Sequence, residues 1–403
     1  MKVKFTELNS GYEGERRESR FSKKTKAKII IASALVVAFI TVLVLSLVGV
    51  IPMDALLIRI RVALSGEDKN FPITVNTDSI VTNDIMNDGL ILLTSQNVIL
   101  YDSKGRENYT VSHIYSKPGI SVNEDRAIVF DRGGTSYMLL GKKEMIAEGE
   151  AESKILCGYY GSDNSYAIAS LGDKTTSTLN VYNKKNEVIF KWNCSKEYIS
   201  SVTISDNGDY IGVTVMGAEN GEIFTTVYFF GVDFKEPLAS YRIKGAAPVA
   251  LKFTDKDILT VITDIGIYAV DKDTAKTTKV GSFYSSEFTC CDISRKGDYL
   301  VSLAKYGSKN VFEINMYNSE GEKQLTIPVN SEVKASYITD KYIVILAEDQ
   351  ILVYSFKGKL ISTITYKGEP LSLLPTDDFI YIESLDRIYR CFTYGDSSIT
   401  LMS

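Results

Sequence analysis

Three short acidic clusters, Asp206-Asn207-Gly208-Asp209, Asp271-Lys272-Asp273 and Asp377-Asp378, offer oxygen ligands of the kind calcium takes. None has the Asp-x-Asp/Asn-x-Asp/Asn-Gly spacing closed by a glutamate that a calcium loop needs, and Asp and Asn also cap turns through their own backbone. The turn role is therefore expected, with no metal assigned. His113 is the single histidine, so His-based triads and multi-histidine metal sites are excluded within one chain. It falls on or after an outer strand and is expected to be exposed and without a functional role. Cys157, Cys194, Cys290, Cys291 and Cys391 leave at least one thiol unpaired. Cys157 and Cys194 are expected on the first and last strands of one sheet, beyond disulfide reach. Buried free thiols are the reading, with no redox or metal role. Trp192, the one tryptophan, is expected to pack at a sheet edge or between sheets. Ser205-Asp206-Asn207-Gly208-Asp209-Tyr210 departs from the sialidase Asp box, and Leu374-Pro375-Thr376-Asp377 is not a wall-sorting signal. No catalytic, cofactor-binding or metal-binding residue is assigned, no cofactor is implied, and the sequence singles out no residue of a binding site.

The elements that would carry these residues start with a span. Residues 29–53, IIIASALVVAFITVLVLSLVGVIPM, hold no charge. As a helix they would cover roughly 35 Å, enough to cross a bilayer core of about 30 Å. A cleaved signal peptide is the rival, but its apolar region is about 7 to 15 residues and ends in a small-x-small site. Residues 1–28 carry nine Lys or Arg against four acids, or +5. Against chain totals of 45 and 50, the remainder holds 36 bases and 46 acids, or −10. Lys and Arg stay on the cytoplasmic side, so the N-terminus is expected inside and the large domain outside. The arm 1–28 is polar and aperiodic and is expected to be disordered. Residues 54–70 are expected to form an interfacial extension and linker.

Beyond residue 70, a polar turn followed by an apolar strand recurs eight times, roughly every 35 to 50 residues. Examples are Asn87-Asp88-Gly89-Leu90, Ser205-Asp206-Asn207-Gly208-Asp209-Tyr210, Ser294-Arg295-Lys296-Gly297-Asp298-Tyr299 and Thr376-Asp377-Asp378-Phe379. A second turn follows in phase: Tyr101-Asp102-Ser103-Lys104-Gly105, Tyr182-Asn183-Lys184-Lys185-Asn186, Tyr317-Asn318-Ser319-Glu320-Gly321, Tyr354-Ser355-Phe356-Lys357-Gly358. Gly or Asn there supplies the positive φ of a tight hairpin. Each unit thus has four short strands and no room for a crossover helix, which predicts an all-β propeller over 71–403 with eight four-stranded blades, seven being the runner-up. In the unit 248–283 the strands are expected at 249–253, 258–263, 266–270 and 277–281. The last unit has three clear strands and a weak fourth at 398–402. Residues 71–75, FPITV, are expected to complete that blade and close the ring.

These Ser/Thr-Asp-x-Gly-Asp-Tyr and Tyr-Asp/Asn-x-x-Gly turns resemble the WD40-like and quinoprotein-like propeller superfamily. The order of arm, span and propeller resembles a domain-of-unknown-function family of single-pass, membrane-anchored propellers of Gram-positive bacteria. The resemblance implies a fold and carries no activity. One His and one Trp cannot place a Gly-His and a Trp-Asp in each blade, and the repeated docking tryptophans of quinone enzymes are missing. The expectation is a noncatalytic, membrane-tethered, extracytoplasmic propeller that binds a protein, peptide or envelope polymer. Glycan-active or other hydrolytic chemistry and transmembrane sensing through the arm are the alternatives. The charge of −10 and the sidedness disfavour nucleic acid.

Overall fold

The computed structural model describes residues 33, 37, 38, 40, 41, 70–75, 80–284, 286–308 and 310–401. The chain divides into two compact units, Met1–Gly66 and Glu67–Ser403. In the first, Ser33, Val37, Ala38, Ile40 and Thr41 are helical and exposed, and Thr41 Oγ1 donates to the Val37 carbonyl at 2.8 Å. Among the described residues no helix is long and apolar enough to cross a membrane. The arm 1–28, nearly all of the span 29–53 and the linker up to residue 69 lie outside the described residues.

The second unit is a closed ring of eight antiparallel sheets. Blade 1 has strands Ile80–Met86, Gly89–Thr94, Asn97–Tyr101 and Glu107–Ser112, paired in chain order from the channel outward. Blades 2 to 7 repeat the order, with innermost strands Pro118–Asn123, Ile155–Tyr160, Tyr198–Ile204, Pro248–Phe253, Ser286–Ile293 and Val333–Ile338. Blade 8 holds Ser372–Pro375, Phe379–Glu383 and Arg387–Phe392. Its outer strand is Ile73–Thr74, in register Ile73↔Ile388 and Thr74↔Arg387. The seam is thus the one expected from 71–75, and eight blades rather than seven close the ring. The weak strand near 398–402 goes elsewhere. Ser397–Thr400 pairs in parallel with Leu360–Lys367 and extends blade 7 to five strands. With Ile73–Thr74 already on the outer edge of blade 8, the tail covers the neighbouring edge instead.

Eight apolar clusters hold the ring, one between each pair of adjacent blades. This explains the second strands, GLILLT and YIVILA, buried at every position. A sheet covered on both faces has no polar side and loses its alternation. The strands Pro248–Phe253, Leu259–Thr263, Gly266–Val270 and Thr277–Ser282 match the expected unit within a residue or two. The two turn motifs are linked by aromatic pairs. The Tyr that opens a second strand faces the Tyr that ends the third: Tyr166↔Tyr182, ring centroids 4.8 Å apart, and Tyr299↔Tyr317, 5.1 Å. Stacking there anchors the hairpin ends. In the second motif Gly105, Asn186, Gly321 and Gly358 all have positive φ, and Asn183 Oδ1 accepts from the amides of Lys185 and Glu187.

The seam has its own lock. The Arg390 guanidinium lies between the rings of Phe71 (4.5 Å) and Phe379 (4.2 Å) and donates to the Ser103 carbonyl. Burial lowers its pKa to about 10. Cation–π contact offsets part of that desolvation, so the first described strand is tied to blades 8 and 1 together.

Candidate functional site

Each innermost strand runs the same way through the ring, so the eight turns that follow them meet at one mouth of the channel. The motif residues cap these turns. Ser205 Oγ accepts from the Tyr210 amide at 2.9 Å, Thr339 Oγ1 from Tyr342 at 3.0 Å and Thr376 Oγ1 from Phe379 at 3.0 Å. The neighbouring Asp then points to the mouth. Seven carboxylates line it, Asp84, Asp88, Glu124, Asp125, Asp206, Asp340 and Asp377, with three cations, Lys142, Lys252 and Arg295. The cavity is about 880 Å³ and is also lined by Tyr159 and Tyr160.

Hydrogen bonds between blades fix the rim. The Asn87 amide donates to the Glu124 carbonyl (2.6 Å), Asn123 Nδ2 to the Gly161 carbonyl (2.7 Å), and Ser162 Oγ to Asp206 Oδ1 (2.8 Å). Lys341 pairs with Asp377 at 3.3 Å. At Gly208, φ is +79° and a Cβ would lie 2.3 Å from Asp163 Oδ2, so the glycine lets two turns approach. A preorganised rim presents its charges without ordering cost at the moment of binding.

Beneath the rim, three ionisable side chains enter the channel from the innermost strands of blades 1, 5 and 6. Asp84 Oδ1 accepts from the Ile85 amide at 2.7 Å. Asp292 accepts from the amides of Ile293 (2.9 Å) and Ile338 (2.9 Å). Lys252 Nζ donates to the carbonyls of Ser294 (3.0 Å) and Ile293 (3.4 Å). All three keep some contact with channel solvent, yet the packed walls strip most of their hydration. Burial pushes Asp84 up to about 6, opposed by the Ile85 amide, while Asp292 adds to the rise. Burial raises Asp292 too, against its two amide donors. Burial lowers Lys252, opposed by Asp292, Asp206, Asp84 and Asp340. Lys252 therefore offsets part of the cost of burying the two carboxylates, but for Asp84 desolvation outweighs that attraction. A side cavity of about 500 Å³ between the innermost strands of blades 5 and 6 is lined by Lys252, Asp292, Phe288 and Cys290.

The acidic clusters act as turn caps. Asp271 Oδ1 accepts from the amides of Asp273 and Thr274, and Asn207 Nδ2 donates to Asp209. Asp206 and Asp377 also line the mouth, whereas Asp271 and Asp273 lie in an outer turn, away from it. Among the described residues no group of three metal-ligating side chains converges.

His113 corrects the sequence expectation, for it is buried, 8% exposed. Its Nε2 lies 3.2 Å from the Thr94 carbonyl, Nδ1 accepts from the Tyr115 amide, and the ring stacks on Tyr115 at 4.9 Å. It closes the loop between blades 1 and 2 rather than facing solvent. Trp192 packs between blades 3 and 4 against Tyr228 and Phe230. All five cysteines are free, and Cys157 and Cys194 occupy the first and last strands of blade 3. Burial pushes the thiols of Cys157, Cys291 and Cys391 up to about 12.

Sequence reasoning missed Asp84, Lys252 and Asp292. Each is a charge inside a strand, and the available signal was that the innermost strands break apolar alternation with charged residues.

The opposite face displays apolar loop tips, among them Ile114, Tyr284, Tyr306 and Leu385, each more than three-quarters exposed.

No curated protein matches this chain in sequence. Among solved structures, the C-terminal WD40 domain of Sif2 is similar, with a TM-score of 0.58 at 11% identity over 80% of this chain and 97% of its own. A crystal structure of the eukaryotic initiation factor is similar with a TM-score of 0.57 at 12% identity, over 81% of this chain and 88% of its own. At such identities the likeness shows the WD40-like propeller fold alone. A family model described as "Family of unknown function (DUF5711)" matches residues 70–388, nearly the whole ring, and the chain belongs to that family.

Proposed function

We propose that this protein is a noncatalytic, membrane-tethered binding module whose acidic channel mouth takes a positively charged segment of a protein, peptide or envelope polymer. The observation that carries the binding reading is the mouth itself: seven carboxylates against three cations around a cavity of about 880 Å³. A cleft with an excess of one sign of charge concentrates ligands of the opposite sign. The tether and its direction rest on the charge-free run 29–53 behind a +5 arm, which favours the N-terminus in the cytoplasm and the propeller outside.

A photo-crosslinking residue at Asp125, on the mouth, compared in intact cells with one at Ile114, on the opposite face, tests the site. Adducts from Asp125 are expected, and adducts from Ile114 alone overturn it. Protease added to intact cells should degrade the part after residue 70 and spare the arm; the reverse pattern overturns the topology.

A hydrolytic reading has one observation behind it, the raised carboxyls of Asp84 and Asp292 in one channel. A general acid needs such a raised pKa. Turnover of a glycan or peptide that Asp84→Asn abolishes would establish it.

A further inference from the structure

Arg295 interrupts the ring of carboxylates. The turns after the innermost strands carry Asp88, Asp125, Asp163, Asp206, Asp255, Asp340 and Asp377, and in blade 6 the equivalent place holds Arg295. In a closed ring of eight, blade 6 stands opposite blade 2. The Arg295 guanidinium nonetheless pairs with Glu124 of blade 2, both side chains lining the mouth. The chain's own cation therefore bars its own acidic pocket. Both side chains are more than half exposed, 60% and 59%, so charge and not packing holds them there. An exposed pair of this kind is weak and readily exchanged. Below the bar, Asp84, whose Oδ1 accepts from the Ile85 amide at 2.7 Å, lines the same cavity.

We propose that the mouth is a guanidinium site, in which Arg295 stands in for an arginine side chain supplied by the partner and competes with it. This rests on the reading that the mouth takes a cationic segment, and it adds which cation and what opposes its entry. A planar guanidinium can bridge two carboxylate oxygens at once, whereas an ammonium is a strongly hydrated point charge. On entry, the partner's arginine takes over Glu124 and reaches toward Asp84, and Arg295 swings to solvent. The released Arg295, already 60% exposed, is hydrated in solvent rather than buried, so it sets a threshold for binding without blocking it.

The test is titration of fluorescein-labelled hexaarginine and hexalysine peptides at low salt onto the full-length wild type, Arg295→Ala and Glu124→Gln, read by anisotropy. Hexaarginine should bind more tightly than hexalysine. Arg295→Ala should tighten hexaarginine about two- to fivefold, the size of an exposed ion pair, and Glu124→Gln should weaken it. Binding that Arg295→Ala leaves unchanged or weakens overturns the competitor role, while the acidic-mouth reading stands. Equal affinity for the two peptides overturns the guanidinium preference. If neither peptide binds wild type or Arg295→Ala, the acidic-mouth reading falls, and this inference with it.

Discussion

Asp84→Asn should make the protein more stable, and increasingly so as pH rises. Burial holds the Asp84 carboxyl at about 6 in the fold, against 3.8 for the free group. A carboxyl with a raised folded pKa contributes stability that is fully present below the unfolded value and is lost as pH rises through the folded one. The rise from 3.8 to about 6 corresponds to about 3 kcal/mol of penalty at pH 8. By pH 4.5 the same linkage leaves only about 1 kcal/mol. Asparagine has nearly the same shape, can accept from the Ile85 amide and carries no charge to desolvate. At about 2.1 cal/mol/K per residue over roughly 330 residues, 3 kcal/mol is a Tm gain of about 4 °C at pH 8, shrinking to about 1–2 °C at pH 4.5. Scanning calorimetry of both full-length proteins at the two pH values measures this. A gain that is equal at both pH values, or a loss at pH 8, would refute the claim that Asp84 is ionised against its environment in the channel.

Three further outcomes follow from the ring. Ile73→Ala removes a buried side chain (6% exposed) from the seam cluster and should cost about 2–5 kcal/mol, a Tm loss of about 3–7 °C, with protease cleavage starting at the seam. Gly208→Ala places a methyl group against Asp163 at positive φ and should cost about 1–3 kcal/mol in chemical denaturation, more than alanine at the open, equally positive-φ Gly133. Alkylation at pH 8 should label Cys157, Cys291 and Cys391 slowly in the native protein, because burial holds their thiols protonated. All five should react in denaturant without prior reduction, and mass spectrometry counts them.

The turns were readable in sequence because their chemistry is local. Ser or Thr capping a turn, Gly or Asn at positive φ and a following aromatic residue recur within a few positions, and they fix strand boundaries in blade 5 within a residue or two. The seam was readable because FPITV lacked a unit of its own. The fate of residues 397–400 was not, since a four-residue strand carries no mark of which edge it joins, and blade 7 offered the open one. His113 was misplaced because its burial depends on Thr94 and Tyr115, contacts set by the loop that folds over it. The channel group was hidden for a related reason. Asp84, Lys252 and Asp292 come from distant units and converge only through ring closure, as do Arg295 and Glu124. Asp88, Asp206 and Asp377 were legible as turn residues, but their second role at one mouth needed the parallel arrangement of all eight innermost strands.

The central claim is that the carboxylates of this mouth bind a cation-bearing partner. The most direct measurement is the Kd and salt dependence of hexaarginine binding to the full-length chain and to the variant D88N/D125N/D206N/D340N. Neutralising four rim charges should weaken binding by about tenfold or more and flatten its dependence on ionic strength. An unchanged Kd with an unchanged salt slope would place the binding elsewhere and contradict the account.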